Sequence, residues 1–287
     1  MPERLSTLEA VPFHEIHACF LEAFADYYHD TSAISEQALR ERAIKNGFDP
    51  VLSTGVRRNG RLAAFTLIGA GNWRDEPAAF DIATGVVPDE RGKGCASRMF
   101  SLVEEQLRHR GIRRCVLEVL EQNEPAIKAY LKAGFTETRR FDCFKRDPGE
   151  IRGAQKSLPL RVQKLERPHT RELSRHWDFR PSFENSLEAI ERIAKETMSL
   201  GVFEGARCIG ELTYYPTLSW VLSLTVHREY RRSGIATELL DALATAAAGS
   251  TIKVTNVDRA SREMGACLRR AGFEIFAGQL EMECRLT

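Results

Sequence analysis

The chain has 287 residues, of which 43% are hydrophobic and 28% charged, a globular composition with room for two domains of ordinary size. Its 41 basic and 40 acidic residues leave a formal charge of +1, which gives no electrostatic basis for binding nucleic acid or an anionic membrane. Apolar runs such as 240–248 are too short to span a bilayer, and the N-terminus lacks an apolar signal region. We therefore expect a cytoplasmic protein with neither nucleic-acid nor membrane partners.

Seven cysteines are spread along the chain, and no two of them have the Cys-x-x-Cys spacing. An odd number of scattered cysteines argues against both a disulfide framework and a structural zinc site. The sequence therefore predicts reduced thiols and no metal site.

Helix and strand signals alternate along the first half. An apolar residue every three to four positions indicates the helices. The boundaries of helices and strands are predicted from the caps Ser35 and Gly47 and from the Asn59-Gly60 turn. The pattern predicts helices at 12–24, 35–46, 95–110 and from 125, and strands at 51–56, 62–68, 80–87 and 115–120.

The second half repeats this order after a segment rich in proline, glycine and charge at 146–175, which is typical of a linker. The predicted elements are helices at 186–198, 235–248 and one ending near 270, and strands at 201–208, 209–215, 220–226 and 252–257. Arg91 and Arg231 lie 140 residues apart, and Gly134 and Gly272 lie 138 apart. This offset indicates a duplicated domain, and we predict domains at 1–150 and 151–287.

The segment 86–96, Val-Val-Pro-Asp-Glu-Arg-Gly-Lys-Gly-Cys-Ala, lies between a predicted strand and a predicted helix. Gly92 and Gly94 allow the backbone N–H groups to curve around a phosphate at the positive end of the helix, and small Ala96 leaves the first turn open. The segment has no Walker Gly-Lys-Ser/Thr and only two of the three glycines of a dinucleotide fingerprint. It predicts a pyrophosphate site of another kind.

The pattern Arg-x-x-Gly-x-Gly after Val-x-Pro resembles the acetyl-CoA loop of the GNAT superfamily of N-acetyltransferases. The segment 118–126, Glu-Val-Leu-Glu-Gln-Asn-Glu-Pro-Ala, followed by Tyr130 and Gly134-Phe135, resembles the second half of the same core. The resemblance implies an α/β protein of two tandem GNAT folds, each a mixed, mostly antiparallel sheet flanked by helices, with acetyl-CoA as cosubstrate.

The resemblance also implies the catalytic groups. Tyr130 matches the tyrosine that donates a proton to the leaving thiolate, and Glu118, twelve residues earlier, matches a general base. Asp81 on the preceding strand is a rival base, although a β-bulge there would change the face on which its side chain lies.

The expected cofactor-binding residues share the loop, the adjoining strand end and the following helix: Val86, Val87, Arg91, Gly92, Lys93, Gly94, Cys95, Ala96, Asn123 and Tyr130. Cys95 and Cys115 lie in apolar patterns and are expected to be core thiols, not nucleophiles. The acceptor is expected near Asp81, near the loop Tyr27-Tyr28-His29-Asp30, and near Trp73, where this fold usually holds it.

The second half keeps a possible second cofactor site at Arg231, Gly234 and Ala236. It has Leu268 in place of Tyr130, Asn256 in place of Glu118 and Ser261 in place of Asn123, so we expect it to be catalytically silent. The prediction is direct acetyl transfer to a primary amine of a small molecule or peptide in a ternary complex, by a monomer or homodimer. A non-catalytic acyl-CoA sensor or scaffold is the alternative.

Overall fold

The computed structural model describes residues 3–28, 30–149, 161–247 and 249–286. The chain forms two compact units: Met1–Thr138 together with Leu280–Thr287, and Arg139–Gln279. Part of the predicted linker, 150–160, lies outside the described residues.

The first unit is built from residues that match the predicted alternation of helix and strand. Its strands are β1 (Arg4–Thr7), β2 (Thr54–Arg58), β3 (Arg61–Trp73), β4 (Glu76–Val86) and β5 (Arg114–Leu120), and its helices are α1 (Phe13–Ala23), α2 (Glu36–Lys45), α3 (Cys95–His109) and α4 (Glu124–Lys132).

Local chemistry explains several of these boundaries. The Ser35 side chain accepts a hydrogen bond from the backbone N–H of Ala38 and starts α2. Gly47 and Gly111, with φ of 72° and 70°, follow the ends of α2 and α3, where a left-handed residue stops a helix. Asn59 and Gly60 both have positive φ and form the turn between β2 and β3.

The second unit repeats the arrangement with shorter helices. Its strands are β7 (Val162–Leu165), β8 (Met198–Glu204), β9 (Arg207–Tyr215), β10 (Trp220–Val226) and β11 (Ile252–Asp258), and its helices are α5 (Thr170–Leu173), α6 (Leu187–Arg192), α7 (Ile235–Ala246) and α8 (Arg262–Arg270).

Each unit contains a mixed, mostly antiparallel sheet, as predicted. Strands β6 (Thr136–Arg146) and β12 (Glu274–Arg285) complete the two sheets. The strand order is β1-β2-β3-β4-β5-β12 in the first unit, where β4 and β5 are parallel. The order in the second unit is β6-β11-β10-β9-β8-β7, where β10 and β11 are parallel. The parallel pair therefore has the same place in both units.

The last strand of each sheet comes from the other half of the chain. Strand β6 (Thr136–Arg146) enters the second unit and pairs with β11, whereas β12 (Glu274–Arg285) ends in the first unit beside β5. Alternate residues of the C-terminal segment, Leu280, Met282, Cys284 and Leu286, are buried in the first unit's core. A single division of the chain near residue 150 does not describe this exchange.

Two predicted elements of the second half differ from the structure. The strand expected at 201–208 is interrupted, because Gly205 has a φ of 59° and turns the chain between β8 and β9. The helix expected at 186–198 ends at Arg192, with a 3₁₀ turn at Ala194–Glu196 before β8. The prediction was too long because the apolar residues continue beyond Arg192 to the start of β8, which is a buried strand.

All seven cysteines are free, and Cys95 and Cys115 are buried. Burial raises the pKa of the Cys115 thiol well above its usual value, which suits a core residue and not a nucleophile. No helix within the described residues is both long and apolar enough to cross a membrane.

Candidate active site

The two parallel strands of the first unit diverge in the middle of the sheet. Strand β4 pairs with β5 from Ala79–Cys115 to Asp81–Leu117, and among the described residues the pairing stops there. At the same point a β-bulge leaves Ile82 without a counterpart on β3, since Leu67 is opposite Ala83 and Ile68 is opposite Asp81. The divergence opens a gap between strand ends whose backbone groups can bind an extended ligand.

Asp81, Thr84 and Tyr130 meet at this gap. The Tyr130 hydroxyl donates a hydrogen bond to Asp81 Oδ2 at 3.1 Å, and the Thr84 hydroxyl donates to the same oxygen at 2.8 Å. Thr84 is brought close to Asp81 by the bulge, which lies between them. The other oxygen, Asp81 Oδ1, is buried and has no hydrogen-bond partner among the described residues.

Burial sets the electrostatics of this group. The Asp81 side chain is 5% exposed, and desolvation raises its pKa to about 6, although hydrogen bonds from Thr84 and Tyr130 oppose the shift. Burial and the neighbouring Asp81 raise the pKa of Tyr130 well above its usual value. Near neutral pH the site therefore holds a carboxylate that can accept a proton beside a phenol that keeps its own.

Glu118 lies on β5 one residue beyond the last residue paired with β4, and its side chain is half-buried. Its neighbours Leu117 and Val119 pack in the same apolar cluster as Tyr130. Because side chains alternate along a strand, Glu118 points to the opposite face of β5 from Tyr130 and Asp81. Of the two predicted bases, the structure joins Asp81 to Tyr130.

The predicted phosphate loop precedes the fifteen-residue helix α3. Gly92 and Gly94 have φ of 75° and 76°, a left-handed conformation that favours glycine, and the space beside each Cα is open. No side chain caps the N-terminus of α3, so its first N–H groups are available to a ligand. Cys95 is buried and Ala96 half-exposed at this end of the helix.

The backbone groups of Val86 and Val87 at the end of β4 differ in their protein partners. The Val87 N–H donates to the Ala63 carbonyl at 3.0 Å, and the Val87 carbonyl accepts from the Glu90 N–H at 2.9 Å, so both groups already have protein partners. Because hydrogen-bonding directions alternate along a strand, the Val86 N–H points away from β3 and into the gap. Val86 is therefore a candidate for backbone contact with a cofactor, and Val87 contributes a buried side chain.

The two cations of the loop have partners in the protein. The Arg91 guanidinium forms a two-pronged ion pair with Asp26 at 2.6 and 2.7 Å and also donates to the carbonyls of Ala23 and Val86. Lys93 forms an ion pair with Glu90 at 3.3 Å. Arg91 therefore anchors the loop to the segment that follows α1.

Asn123 caps α4, the helix that carries Tyr130. Its Oδ1 accepts from the Ala126 N–H at 3.2 Å. Burial raises the pKa of nearby Tyr27, and the Asn123 side chain opposes that rise. Tyr27 is half-buried and Tyr28 is 48% exposed, so both remain candidates for acceptor contacts.

Two other residues, His29 and Trp73, were also expected near the acceptor. His29 lies outside the described residues. Trp73, which was expected in a loop, is the last residue of β3 and is only 3% exposed, so it packs at the hairpin end.

The second unit contains a cleft of about 720 Å³ at the equivalent loop. Its lining includes the predicted residues Arg231, Gly234 and Ala236, and also Arg232, Arg262 and Arg270. Gly234 has a φ of 91° and starts the twelve-residue helix α7, again without a side-chain cap. The phosphate loop geometry is thus present in both units.

The second unit has apolar residues at the positions of Asp81 and Tyr130. The bulge in β10 leaves Leu222 without a counterpart, so Val221 occupies the place of Asp81. The Phe135 N–H bonds to the Tyr130 carbonyl and the Phe273 N–H to the Leu268 carbonyl, each at 3.0 Å, which makes Leu268 the counterpart of Tyr130.

Sequence reasoning missed two residues of this site, Thr84 and Asp26. Nothing in the local pattern marks Thr84, because its contact with Asp81 depends on the bulge. Asp26 meets Arg91 across 65 residues of chain. Its position beside Tyr27 in the acceptor loop was the one available signal.

Comparisons with known proteins agree with this geometry. The model of the acetyltransferase (GNAT) family matches residues 13–135 and 162–273. The mycothiol acetyltransferase of Thermobifida fusca is 33% identical over 120 residues, which cover 39% of this chain and 37% of that protein. The chain thus matches little more than a third of the length of this curated relative.

Solved structures share the fold over the whole chain. A GCN5-related N-acetyltransferase from Sphaerobacter thermophilus has a TM-score of 0.72 at 16% identity and covers 99% of this chain and 96% of its own. A tandem GNAT protein from the clavulanic acid biosynthesis pathway has a TM-score of 0.69 at 13% identity and covers 100% and 99%. The chain therefore belongs to the GNAT acetyltransferase family and contains two copies of its domain.

Proposed function

We propose that the first unit transfers an acetyl group from acetyl-CoA directly to a primary amine of a small molecule or peptide, within a ternary complex. The observation that carries this proposal is the hydrogen bond between Tyr130 and buried Asp81 at the point where β4 and β5 diverge. A proton acceptor and a proton donor in contact are what amide formation from a thioester requires.

Acetyl-CoA would be held by the loop and the β4 end. The open backbone at Gly92 and Gly94 and the uncapped N-terminus of α3 fit a pyrophosphate, and the Val86 N–H fits an amide of the pantetheine arm. The cosubstrate supplies an activated acyl carbon and a thiolate leaving group. The residues of this chain bind it, orient it and move the proton.

Asp81 is the base that the geometry favours. Its Oδ1 has no hydrogen-bond partner among the described residues, so this oxygen can accept a proton from an amine or from a bridging water. A pKa of about 6 keeps the carboxyl ionised at neutral pH yet close enough to the working pH for proton transfer. Glu118 is the alternative base, acting from the other face of β5.

Tyr130 completes the proton balance. The phenol gives its proton to the leaving thiolate, and Asp81, which has taken one from the amine, returns a proton to Tyr130 along their hydrogen bond. The amine loses one proton, the thiolate gains one, and both side chains end as they began. Thr84 holds the carboxylate in the orientation that this transfer needs.

The second unit is proposed to bind the phosphates of acetyl-CoA without catalysis. Its loop has the same backbone geometry, and its cleft is lined with arginines, which favour an anion. Val221 stands in place of the base Asp81 and Leu268 in place of the acid Tyr130, and neither side chain has a titratable group.

A screen for thiol release tests the proposal. The protein is mixed with acetyl-CoA and pooled primary amines, and acetylated products are identified by mass spectrometry. We expect amine-dependent release of free thiol. Saturable CoA binding with no thiol release from any amine class would favour the acyl-CoA sensor instead.

The choice of base is tested by matched variants. Asp81→Asn and Glu118→Gln each remove one carboxylate with little change in shape. We expect Asp81→Asn to abolish the fall in kcat/KM below about pH 6 and Glu118→Gln to keep it. The opposite pattern would assign the base to Glu118.

A further inference from the structure

The guanidinium of Arg91 is occupied by contacts that join three parts of the first unit. It is paired with Asp26, it donates to the Ala23 carbonyl at the end of α1 at 2.9 Å, and its Nε donates to the Val86 carbonyl at the end of β4 at 3.2 Å. The hydrogen-bonded pair lowers the pKa of Asp26 and raises that of Arg91. The side chain of the first loop residue therefore binds protein, and phosphate binding is left to the backbone that follows it.

Asp26 belongs to the segment that carries the acceptor candidates, which we call the acceptor segment (24–28). Tyr27 follows it directly and packs against Phe24 with ring centroids 5.0 Å apart. It also lies close enough to Asn123, the residue that caps α4, for that side chain to oppose the rise in the pKa of Tyr27 that burial causes. The acceptor segment thus contacts the phosphate loop through Asp26 and the helix of Tyr130 through Tyr27.

We infer that Asp26 and Arg91 are positioning residues that couple acetyl-CoA binding to the placement of the acceptor segment. This inference rests on the proposed function of the first unit. A ligand that orders the loop around Gly92 and Gly94 orders Arg91, and Arg91 holds Asp26 and its neighbour Tyr27. By thermodynamic reciprocity, an acceptor that orders Tyr27 strengthens cofactor binding by the same factor.

The second unit repeats the anchor with different residues. Arg231 pairs with Asp178 at 2.6 Å, donates to the His176 carbonyl at 2.6 Å, and lies 3.5 Å from the Val226 carbonyl. An aromatic residue, Trp177, again adjoins the aspartate. Two independent copies of this geometry indicate that the arginine serves the joint between loop and segment in this fold.

The Asp26–Arg91 pair contributes little to overall stability. The two side chains are 59% and 42% exposed, and exposed ion pairs are largely screened by solvent. A variant without the pair should therefore fold normally, which makes its effect on coupling measurable.

Hydrogen exchange with CoA as the probe tests the inference without a known acceptor. The amides of Phe24, Ala25 and Tyr27 are hydrogen-bonded in the structure, so their exchange can be followed. In the wild-type protein we expect CoA to slow exchange both at 91–98 and in the acceptor segment, the latter about fivefold or more. In Asp26→Asn we expect slowing at 91–98 only.

Asp75→Asn is the matched control. Asp75 is exposed and lies in the turn between β3 and β4, so the variant removes the same charge outside the phosphate loop and the acceptor segment. It should retain the wild-type response. Retention of the response by Asp26→Asn, or a wild-type acceptor segment indifferent to CoA, would overturn the inference.

The outcome is separable from the proposed function. Absence of CoA protection at 91–98 in the wild-type protein would contradict the cofactor site itself. With an acceptor in hand, Asp26→Asn should raise the KM for the amine about fivefold or more while kcat stays nearly constant. A fall in kcat alone would contradict a positioning role.

Discussion

The two units have one strand order and one phosphate-loop geometry, yet differ where a proton would move. Asp81 and Tyr130 of the first unit correspond to Val221 and Leu268 of the second. Both apolar residues are buried, at 2% and 0% exposure. Apolar side chains therefore occupy, in the second unit, the positions at which the first unit has a hydrogen-bonded carboxylate and phenol.

The features shared by the two units are separable from those found in one. The loop, the bulge and the arginine anchor occur in both units and so belong to the fold. Buried Asp81 has no carboxylate at its counterpart Val221 and has a cost, since desolvation disfavours its charged form. A residue kept at a cost to stability in one copy and absent from the other is a candidate for chemistry.

Removing the carboxylate should have the largest effect. We expect Asp81→Asn to reduce turnover by about 10²- to 10⁴-fold, because the amine loses its proton acceptor. The measurement is steady-state thiol release with an acceptor from the amine screen. Val221→Asn, at the corresponding position, should leave turnover within about twofold of wild type, because no proton passes there.

Asp81→Asn should lower turnover but raise the free energy of unfolding relative to the wild type above about pH 6. The pKa of Asp81 in the folded protein, about 6, lies above the usual value of 3.8. The contribution of protonated Asp81 to the free energy of unfolding is therefore complete below about pH 4 and is lost as the pH rises through 6. This shift corresponds to about 3 kcal/mol above pH 6. Denaturant unfolding at pH 4.5 and 7.5 should show Asp81→Asn gaining on the wild type at the higher pH, and equal differences at both would contradict the raised pKa.

Removal of the Tyr130 hydroxyl should reduce turnover nearly as much as Asp81→Asn does, while the affinity for CoA stays unchanged. Tyr130→Phe keeps the contact with Phe135, whose ring centroid lies 5.5 Å away, and removes only the proton donor. We expect turnover to fall about 100-fold or more. Calorimetry should show unchanged CoA binding, and near wild-type turnover would remove Tyr130 from the mechanism.

The counterpart in the second unit should affect stability alone. Leu268 is fully buried in the core of that unit, and Leu268→Ala leaves a cavity. We expect a loss of about 2–5 kcal/mol in the free energy of unfolding, with little change in turnover while the protein remains folded. A large loss of turnover at full folding would mean that the second unit takes part in the chemistry.

The sequence predicted most of the first unit because its signals are local. The cap at Ser35, the turn at Asn59-Gly60 and the glycines of the phosphate loop each act through their own backbone. The meeting of Asp81 with Tyr130 could not be predicted, since it joins residues 49 apart through a bulge whose place depends on the pairing of β3 with β4. The resemblance favoured Glu118 through its spacing from Tyr130, and spacing along the chain carries no information about the face of a strand.

The strand exchange was missed for a related reason. The alternation of Leu280, Met282, Cys284 and Leu286 marks a half-buried strand, but alternation does not identify the strand beside it. In the structure this segment is also held by charge, because Glu283 accepts from buried Arg114 at 2.7 Å within the first unit. That contact spans 169 residues and leaves no local pattern.

Acetyl transfer by the variants Gly94→Glu and Gly234→Glu shows which unit carries the chemistry. Each variant places an anion at the corresponding phosphate loop, where φ is 76° or 91°, and Gly94→Ala and Gly234→Ala control for backbone strain. We expect Gly94→Glu to abolish turnover, and we expect Gly234→Glu to retain turnover while losing at most one equivalent of bound CoA. Turnover that survives Gly94→Glu and disappears in Gly234→Glu would contradict this expectation.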